Sequence, residues 1–152
     1  MIGVKEDRPM KVREIVHRPT VYARAEATDC RLAAQLMMEH NLSSLPVLDG
    51  LGRLVGMLTS QDFCCRMLNE DKSFKTPVRE VMSPPPPSCR EDDEVEQVEA
   101  MVARLKLTQV PAVDAEGRLV GFVEIDDLIQ YCQDHGQQGG LTEALQSIAD
   151  KI

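Results

Sequence analysis

The chain has 152 residues, a formal net charge of −8 at neutral pH, and 43% apolar residues. Such an acidic chain lacks the Lys/Arg-rich surface needed for sequence-independent binding to nucleic acid or an anionic membrane, so we expect neither partner. It contains no apolar run near the roughly 18 residues of a membrane helix and no secretory leader, so we expect a cytoplasmic protein. The five cysteines show no CxxC pair and no histidine at ligand spacing, which predicts reduced, mostly buried thiols and no metal site.

An internal duplication organises the chain. Residues 46–62 read PVLDGLGRLVGMLTSQD, and residues 111–127 read PAVDAEGRLVGFVEIDD. The segments that lead into the two copies also match, since VREI at 12–15 recurs as VREV at 78–81. These lead-in segments are 66 residues apart, whereas the later match is spaced by 65, and a single insertion or deletion accounts for the difference. A unit of about sixty residues is marginally stable alone, so the two copies are expected to share a core.

The repeat also predicts the domain organisation. The segments are an N-terminal arm over 1–9, a first repeat over 10–70, a linker over 71–76, a second repeat over 77–134 and a C-terminal tail over 135–152.

The first repeat reads as strand, helix, strand, strand, helix. The pattern predicts a strand at 20–23, a helix from a cap at Thr28 or Asp29 to about Asn41, a hairpin of strands at 45–48 and 53–58, and a helix from Thr59 to about Asn69. Helical spacing predicts that this last helix buries Phe63, Cys64, Met67 and Leu68.

The second repeat has the same order of elements. The prolines at 84–87 predict a stiff connector, and Val95, Val98, Val102 and Leu105 form a core-facing helical stripe. In the tail, Thr142 caps an amphipathic helix with Leu141, Leu145, Ile148 and Ile152 on one face. We expect this face to pack within its own chain or a dimer of it, because the apolar faces of soluble proteins are usually buried inside their own molecule.

The duplicated segments resemble the CBS domain, and two in tandem resemble the pair called a Bateman module. The resemblance rests on LPVLD at 45–49, VPAVD at 110–114, the GRLVG strand of both copies and TSQD at 59–62. It implies a mixed α/β (α+β) fold of two β-α-β-β-α repeats, paired through their sheets about a pseudo-two-fold axis, and commonly a homodimer. It also implies a regulatory role, in which an adenosine-containing ligand such as AMP, ADP, ATP or S-adenosylmethionine binds between the repeats and the module signals to an effector protein.

The resemblance assigns the main ligand site to the first repeat. Asp62 would accept hydrogen bonds from the ribose hydroxyls, and Thr59 with the first amides of its helix would donate to a phosphate. The same Thr-x-x-acid pattern is also a helix cap that needs no ligand. Residues of the early strand and of the LPV strand would hold the adenine, namely Thr20, Val21, Leu45 and Pro46. Ser44 is also assigned to the ligand site, at a position before the LPV segment where the family often has a basic residue that holds a phosphate.

The second repeat departs from the ligand motif. Its matching positions are Ser88, Val110, Pro111 and Asp127, but Glu124 stands where the first repeat has Thr59, and Asp126 adds a third acid. These carboxylates would repel a phosphate unless a cation intervened. We therefore predict unequal clefts: the Asp62 cleft takes a nucleotide, and the Asp127 cleft is empty or takes an uncharged or cationic adenosyl ligand.

The sequence predicts no catalysis and no cofactor. The three histidines are scattered, and no motif places a nucleophile beside its base. Two alternatives to ligand sensing remain open. One is a structural or protein-interaction module with vestigial clefts, and the other is a metal-linked role resting on the acids from Glu124 to Asp127.

Overall fold

The computed structural model describes residues 9–19, 21–135 and 140–151. Each repeat forms one three-stranded mixed sheet with helices packed against it, which confirms the predicted fold class. In chain order the elements are β1 (Ala23–Arg24), α1 (Cys30–Glu39), β2 (Ser44–Leu48), β3 (Leu54–Thr59), α2 (Ser60–Asp62), β4 (Cys89–Arg90), α3 (Val95–Leu105), β5 (Gln109–Val113), β6 (Leu119–Glu124), α4 (Ile125–Asp134) and α5 (Gly140–Ala149). Short 3-10 turns cover Val12–Glu14 and Val78–Glu80, and a π-helix over Phe63–Leu68 continues α2.

The two sheets have the same topology and nearly the same register. In each sheet the first strand pairs in parallel with the second, and the second and third form an antiparallel hairpin. The first strands begin 66 residues apart, at Ala23 and Cys89, whereas the left-handed residues that follow the helices, Asn41 and Lys106, are 65 apart. The inserted residue therefore lies in the connection between β1 and α1.

The lead-in segment of each repeat packs on the opposite repeat. Val12 belongs to the apolar core of the second repeat, and its amide donates to the Asp93 carbonyl at 2.9 Å. Val78 belongs to the core of the first repeat, and its amide donates to the Thr28 carbonyl at 3.0 Å. The two repeats are thus interlocked, but each has its own hydrophobic core, so the prediction of one shared core was wrong.

The second glycine of each GRLVG strand, Gly56 or Gly121, leaves room for the lead-in segment that crosses over from one repeat to the other. The amide of His17 donates to the Phe122 carbonyl at 2.9 Å, directly beside Gly121. A Cβ atom at Gly121 would lie 2.6 Å from the His17 carbonyl oxygen, and one at Gly56 would lie 2.8 Å from that of Ser83. A side chain at either position would push the crossing segment away from the strand.

The hairpins carry the first glycine of the motif. Gly52 and Gly117 have φ values of 81° and 82°, a left-handed conformation in which glycine carries no steric cost. The two hairpins meet, because the Leu119 amide donates to the Gly52 carbonyl at 3.0 Å. This contact pairs the sheets of the two repeats, as the resemblance implies.

The structure differs from several of the sequence predictions. The first strand is Ala23–Arg24, not residues 20–23, and Thr20 lies outside the described residues. Cys64 and Leu68 were predicted to be buried, but both are exposed, because the π-helix has more residues per turn than the α-helical spacing used for the prediction. Leu105, at the end of the predicted stripe, is 42% exposed.

The predicted C-terminal helix is confirmed as α5, which packs on α3 and α4 of its own chain. Thr142 was predicted to cap this helix, but it lies within it. Leu145 is fully buried and Ile148 is partly buried against the same core. The side chains of Leu141 and Ile152 lie outside the described residues. Within the described ranges, no helix is long and apolar enough to span a bilayer.

Candidate functional site

Asp62, the acid at the start of the last helix in the first repeat, is hydrogen-bonded to other residues of the chain. Asp62 is 6% exposed, and its Oδ2 accepts from the Thr59 amide at 2.8 Å. In return, the Thr59 hydroxyl oxygen accepts from the Asp62 amide at 3.2 Å, which completes a capping box. The hydroxyl of Ser83 donates to Oδ1 at 2.7 Å. Both carboxylate oxygens are therefore used, and a ribose would have to replace Ser83.

The matching helix start in the second repeat has a different set of partners. The Gln109 side-chain amide donates to Glu124 Oε1 at 2.8 Å. Asp127 Oδ2 lies 2.7 Å from His17 Nε2, so a residue of the first repeat is the partner of an acid in the second. Glu124 and Asp127 thus have different partners, and the described residues contain no cluster of three or more His, Cys, Asp or Glu that could hold a metal ion.

His17 and Ser83 occupy equivalent positions in the two crossing segments. Ser83 reaches the acid that opens the last helix of the first repeat, and His17 reaches the corresponding acid of the second. Each helix start is therefore completed by the lead-in segment of the other repeat. Sequence reasoning missed His17, although its match with Ser83 in the VREIVH and VREVMS segments was a signal for it.

A cavity of about 450 Å³ lies between the repeats. The first repeat contributes the segment after its 3-10 turn, the loop before β2, and two residues of the hairpin. The second repeat contributes the facing hairpin. The lining residues are His17, Arg18, Pro19, Val21, His40, Asn41, Leu42, Ser43, Ser44, Pro46, Met57, Gln109, Phe122 and Glu124.

The cavity combines an apolar wall with a polar rim. Pro46 and Met57 are cross-strand partners in the first hairpin, and Phe122 is the matching partner of Pro111 in the second. Glu124, held by Gln109, brings a carboxylate to the second-repeat side, while Arg18 brings a guanidinium to the first-repeat side. An aromatic heterocycle fits the apolar wall, and hydroxyl or amino groups fit the carboxylate.

The structure brings together three of the residues predicted for the first cleft. Val21, Ser44 and Pro46 line the cavity, whereas Leu45 is fully buried in the core behind them. Thr59 and Asp62 are not among the lining residues.

The residues predicted for the second cleft are dispersed. Asp127 contacts His17 but is not among the residues that line this cavity, Val110 and Pro111 are buried within the sheet, and Ser88 is exposed. The cavity therefore joins the predicted adenine wall of the first repeat to the acidic helix start of the second.

Comparisons with known proteins identify both repeats. The family model described as CBS domain matches residues 12–69 and residues 78–134. CBS domain-containing protein YhcV of Bacillus subtilis is 36% identical over 96 residues, which cover 63% of this chain and 67% of that protein.

A larger protein and a solved structure match most of the chain. L-aspartate semialdehyde sulfurtransferase of Methanocaldococcus jannaschii is 30% identical over 132 residues, which cover 84% of this chain but only 25% of that enzyme. The CBS domain pair of protein MJ0100, solved with 5′-methylthioadenosine and S-adenosyl-L-methionine, is 27% identical with a TM-score of 0.62. That match covers 86% of this chain and 100% of the solved one.

Proposed function

Since this chain belongs to the CBS domain family, we propose that it is a regulatory module that binds an adenosine-containing ligand between its repeats and signals to another protein. The observation that carries the proposal is the cavity of about 450 Å³, which has walls from both repeats. Its volume lies in the range of roughly 300–1,000 Å³ typical of small-molecule sites. Because both walls would contact the ligand, its affinity depends on the relative position of the two repeats. Ligand binding would therefore favour one arrangement of the repeats over others.

The carboxylate of Glu124 favours an uncharged or cationic group of the ligand on the second-repeat side of the cavity, opposite the guanidinium of Arg18. Glu124 presents a carboxylate where the family motif has a hydroxyl, and a phosphate nearby would be repelled by it. The related pair of MJ0100 was solved with one uncharged and one sulfonium-bearing adenosyl ligand. We assign the base to the apolar wall around Pro46, Met57 and Phe122, and the polar groups of the ligand to the rim.

This proposal differs from the sequence-based expectation that Thr59 and Asp62 form the main site. Asp62 already accepts hydrogen bonds from Thr59 and Ser83, so a ribose that binds Oδ1 must displace the Ser83 hydroxyl. The same observation supports the second candidate function, a protein-interaction module whose first cleft is only a capped helix start.

Calorimetric titration with 5′-methylthioadenosine, S-adenosylmethionine, AMP and ATP separates these functions. We expect the first two ligands to bind the wild type at one site, Ser44→Phe to abolish binding by filling the cavity, and Asp62→Asn to leave it unchanged. Glu124→Gln, which removes the charge, should raise the affinity for AMP. Binding that is lost in Asp62→Asn but kept in Ser44→Phe would place the site at the capped helix. The absence of binding by all four ligands would favour the interaction module.

L-aspartate semialdehyde sulfurtransferase matches this chain over only a quarter of the enzyme's length, so we do not propose its reaction for this chain. Homodimerisation and a cytoplasmic location stay predictions.

A further inference from the structure

Two of the three histidines of the chain line the cavity between the repeats. His17 follows the first 3-10 turn, and His40 is the residue that ends α1. The third, His135, stacks on Tyr131 with ring centroids 4.1 Å apart and does not line this cavity. Because an imidazole changes its charge between about pH 5 and pH 8, the charge of the cavity depends on pH.

The fixed charges around the cavity leave a small excess of negative charge. Arg18 contributes a guanidinium, and Glu124 contributes a carboxylate whose Oε1 accepts from the Gln109 side chain at 2.8 Å. Asp127 adds a second carboxylate, which does not line the cavity but lies 2.7 Å from His17 Nε2. One cation therefore faces two carboxylates while the imidazoles are uncharged, and an anionic ligand is repelled.

Other titratable groups lie near the two histidines but outside the cavity. On its far side, His17 shares a depression with groups of its own segment and of α4, namely Glu14, Tyr131, Asp134 and His135. Glu39 precedes His40 and accepts from the Gln35 side chain at 2.9 Å, along α1. None of these residues lines the cavity, so solvent and salt screen their charges from a bound ligand more than those of His17 and His40.

The equivalent positions in the opposite cleft carry no titratable group of this kind. Ser83 matches His17 in the lead-in segments, and Leu105 matches His40 at the offset of 65 residues that relates the ends of α1 and α3. Neither a hydroxyl nor an aliphatic side chain ionises near neutral pH. A change of pH therefore alters the charge of the two clefts differently.

We propose that protonation of His17 and His40 switches the cavity from uncharged or cationic adenosyl ligands to adenosyl ligands that carry a phosphate or sulfate ester. Two added protons turn the excess of negative charge into an excess of positive charge, so an anion is attracted instead of repelled. The side chain of His17 is 63% exposed and His40 is also exposed, so solvent weakens the attraction. The change in affinity is then on the order of tenfold. This inference rests on the proposed function, because it concerns the ligand of the same cavity.

Calorimetric titration of the full chain at pH 5.5 and pH 8 with two ligands tests the switch. Adenosine 5′-sulfate keeps one negative charge across this range, unlike AMP, whose phosphate itself titrates near pH 6. The uncharged reference is 5′-methylthioadenosine. We expect the affinity for adenosine 5′-sulfate to be about tenfold higher at pH 5.5 than at pH 8, and the affinity for 5′-methylthioadenosine to be the same at both.

Substitutions separate the two histidines from other effects of pH. Replacing both, as His17→Gln with His40→Gln, should reduce the ratio of the two sulfate affinities from about ten to about one. The matched control is His135→Gln, outside the cavity, which should keep the ratio of the wild type. His40→Lys carries a charge at both pH values and should bind adenosine 5′-sulfate at pH 8 about threefold more tightly than the wild type.

An equal affinity for adenosine 5′-sulfate at both pH values, or a gain that persists when both histidines are replaced, would overturn the inference. If 5′-methylthioadenosine still binds the wild type in that case, the proposed function stands and the switch alone fails. If neither ligand binds at either pH, the proposed function fails together with the inference that rests on it.

Discussion

The buried acid of α3 makes the stability of the chain depend on pH. Glu99 is fully buried, and among the described residues its carboxylate has no hydrogen-bond partner other than the neighbouring Cys132 thiol. Burial raises the pKa of Glu99 to about 7, with the nearby Glu96 adding to the rise and the Cys132 thiol partly offsetting it. The folded chain therefore holds this proton at a pH where the unfolded chain, with a pKa near 4.5, has lost it.

The direction and size of the effect follow from these two values. Between pH 4.5 and pH 7 the folded state binds one more proton than the unfolded state, so the free energy of unfolding falls by about 1.4 kcal/mol for each pH unit. The full difference between the two pKa values corresponds to about 3 kcal/mol. The stabilising contribution of protonated Glu99 is thus present below pH 4.5 and is lost as the pH rises through 7.

Urea denaturation at pH 5, 6, 7 and 8 measures this contribution in the wild type and in Glu99→Gln, which cannot ionise. We expect Glu99→Gln to gain about 2.5 kcal/mol relative to wild type between pH 5 and pH 8, whatever its stability at pH 5. Glu143→Gln, an exposed acid on α5, is the matched control and should show no such gain. If the difference between wild type and Glu99→Gln stays constant within about 0.5 kcal/mol across this range, Glu99 is ionised in the folded state and the reasoning fails.

Two further predictions test the fold by denaturation at one pH. Gly121→Ala places a Cβ 2.6 Å from the His17 carbonyl and should cost about 1–3 kcal/mol, whereas Gly50→Ala, where nothing lies within 4 Å, should change stability by less than about 0.5 kcal/mol. Equal costs for the two would contradict the interlocked crossing. Asp29→Ala removes the side chain that accepts from the Leu32 amide at 2.9 Å and should cost about 1 kcal/mol; no measurable cost would show that the cap contributes nothing.

Local and repeated features of the fold were predictable from the sequence. The sequence predicted a helix cap at Thr28 or Asp29, because both residue types are preferred at that position, and in the structure Asp29 is the cap. The hairpin glycines were predicted as turn residues. The order of elements in the second repeat was predicted because it copies the first. These features depend on residues that are close in sequence.

Features that depend on contacts between distant segments were not predictable in this way. The exchange of lead-in segments, which brings His17 to Asp127, joins residues 110 apart in sequence. The exposure of Leu68 depends on the π-helix over Phe63–Leu68, which does not follow from α-helical periodicity. The sequence named Val21, Ser44 and Pro46 as ligand residues, but which helix start faces them is decided by tertiary packing.

The most direct test of the proposed function is the titration of the wild type and of Ser44→Phe with 5′-methylthioadenosine. The proposal predicts saturable binding with one site per chain in the wild type and none in the variant, while both proteins unfold at similar urea concentrations. Binding of equal affinity to both proteins would contradict the assignment of the cavity as the ligand site, and no binding to either would show that the cavity does not take this ligand.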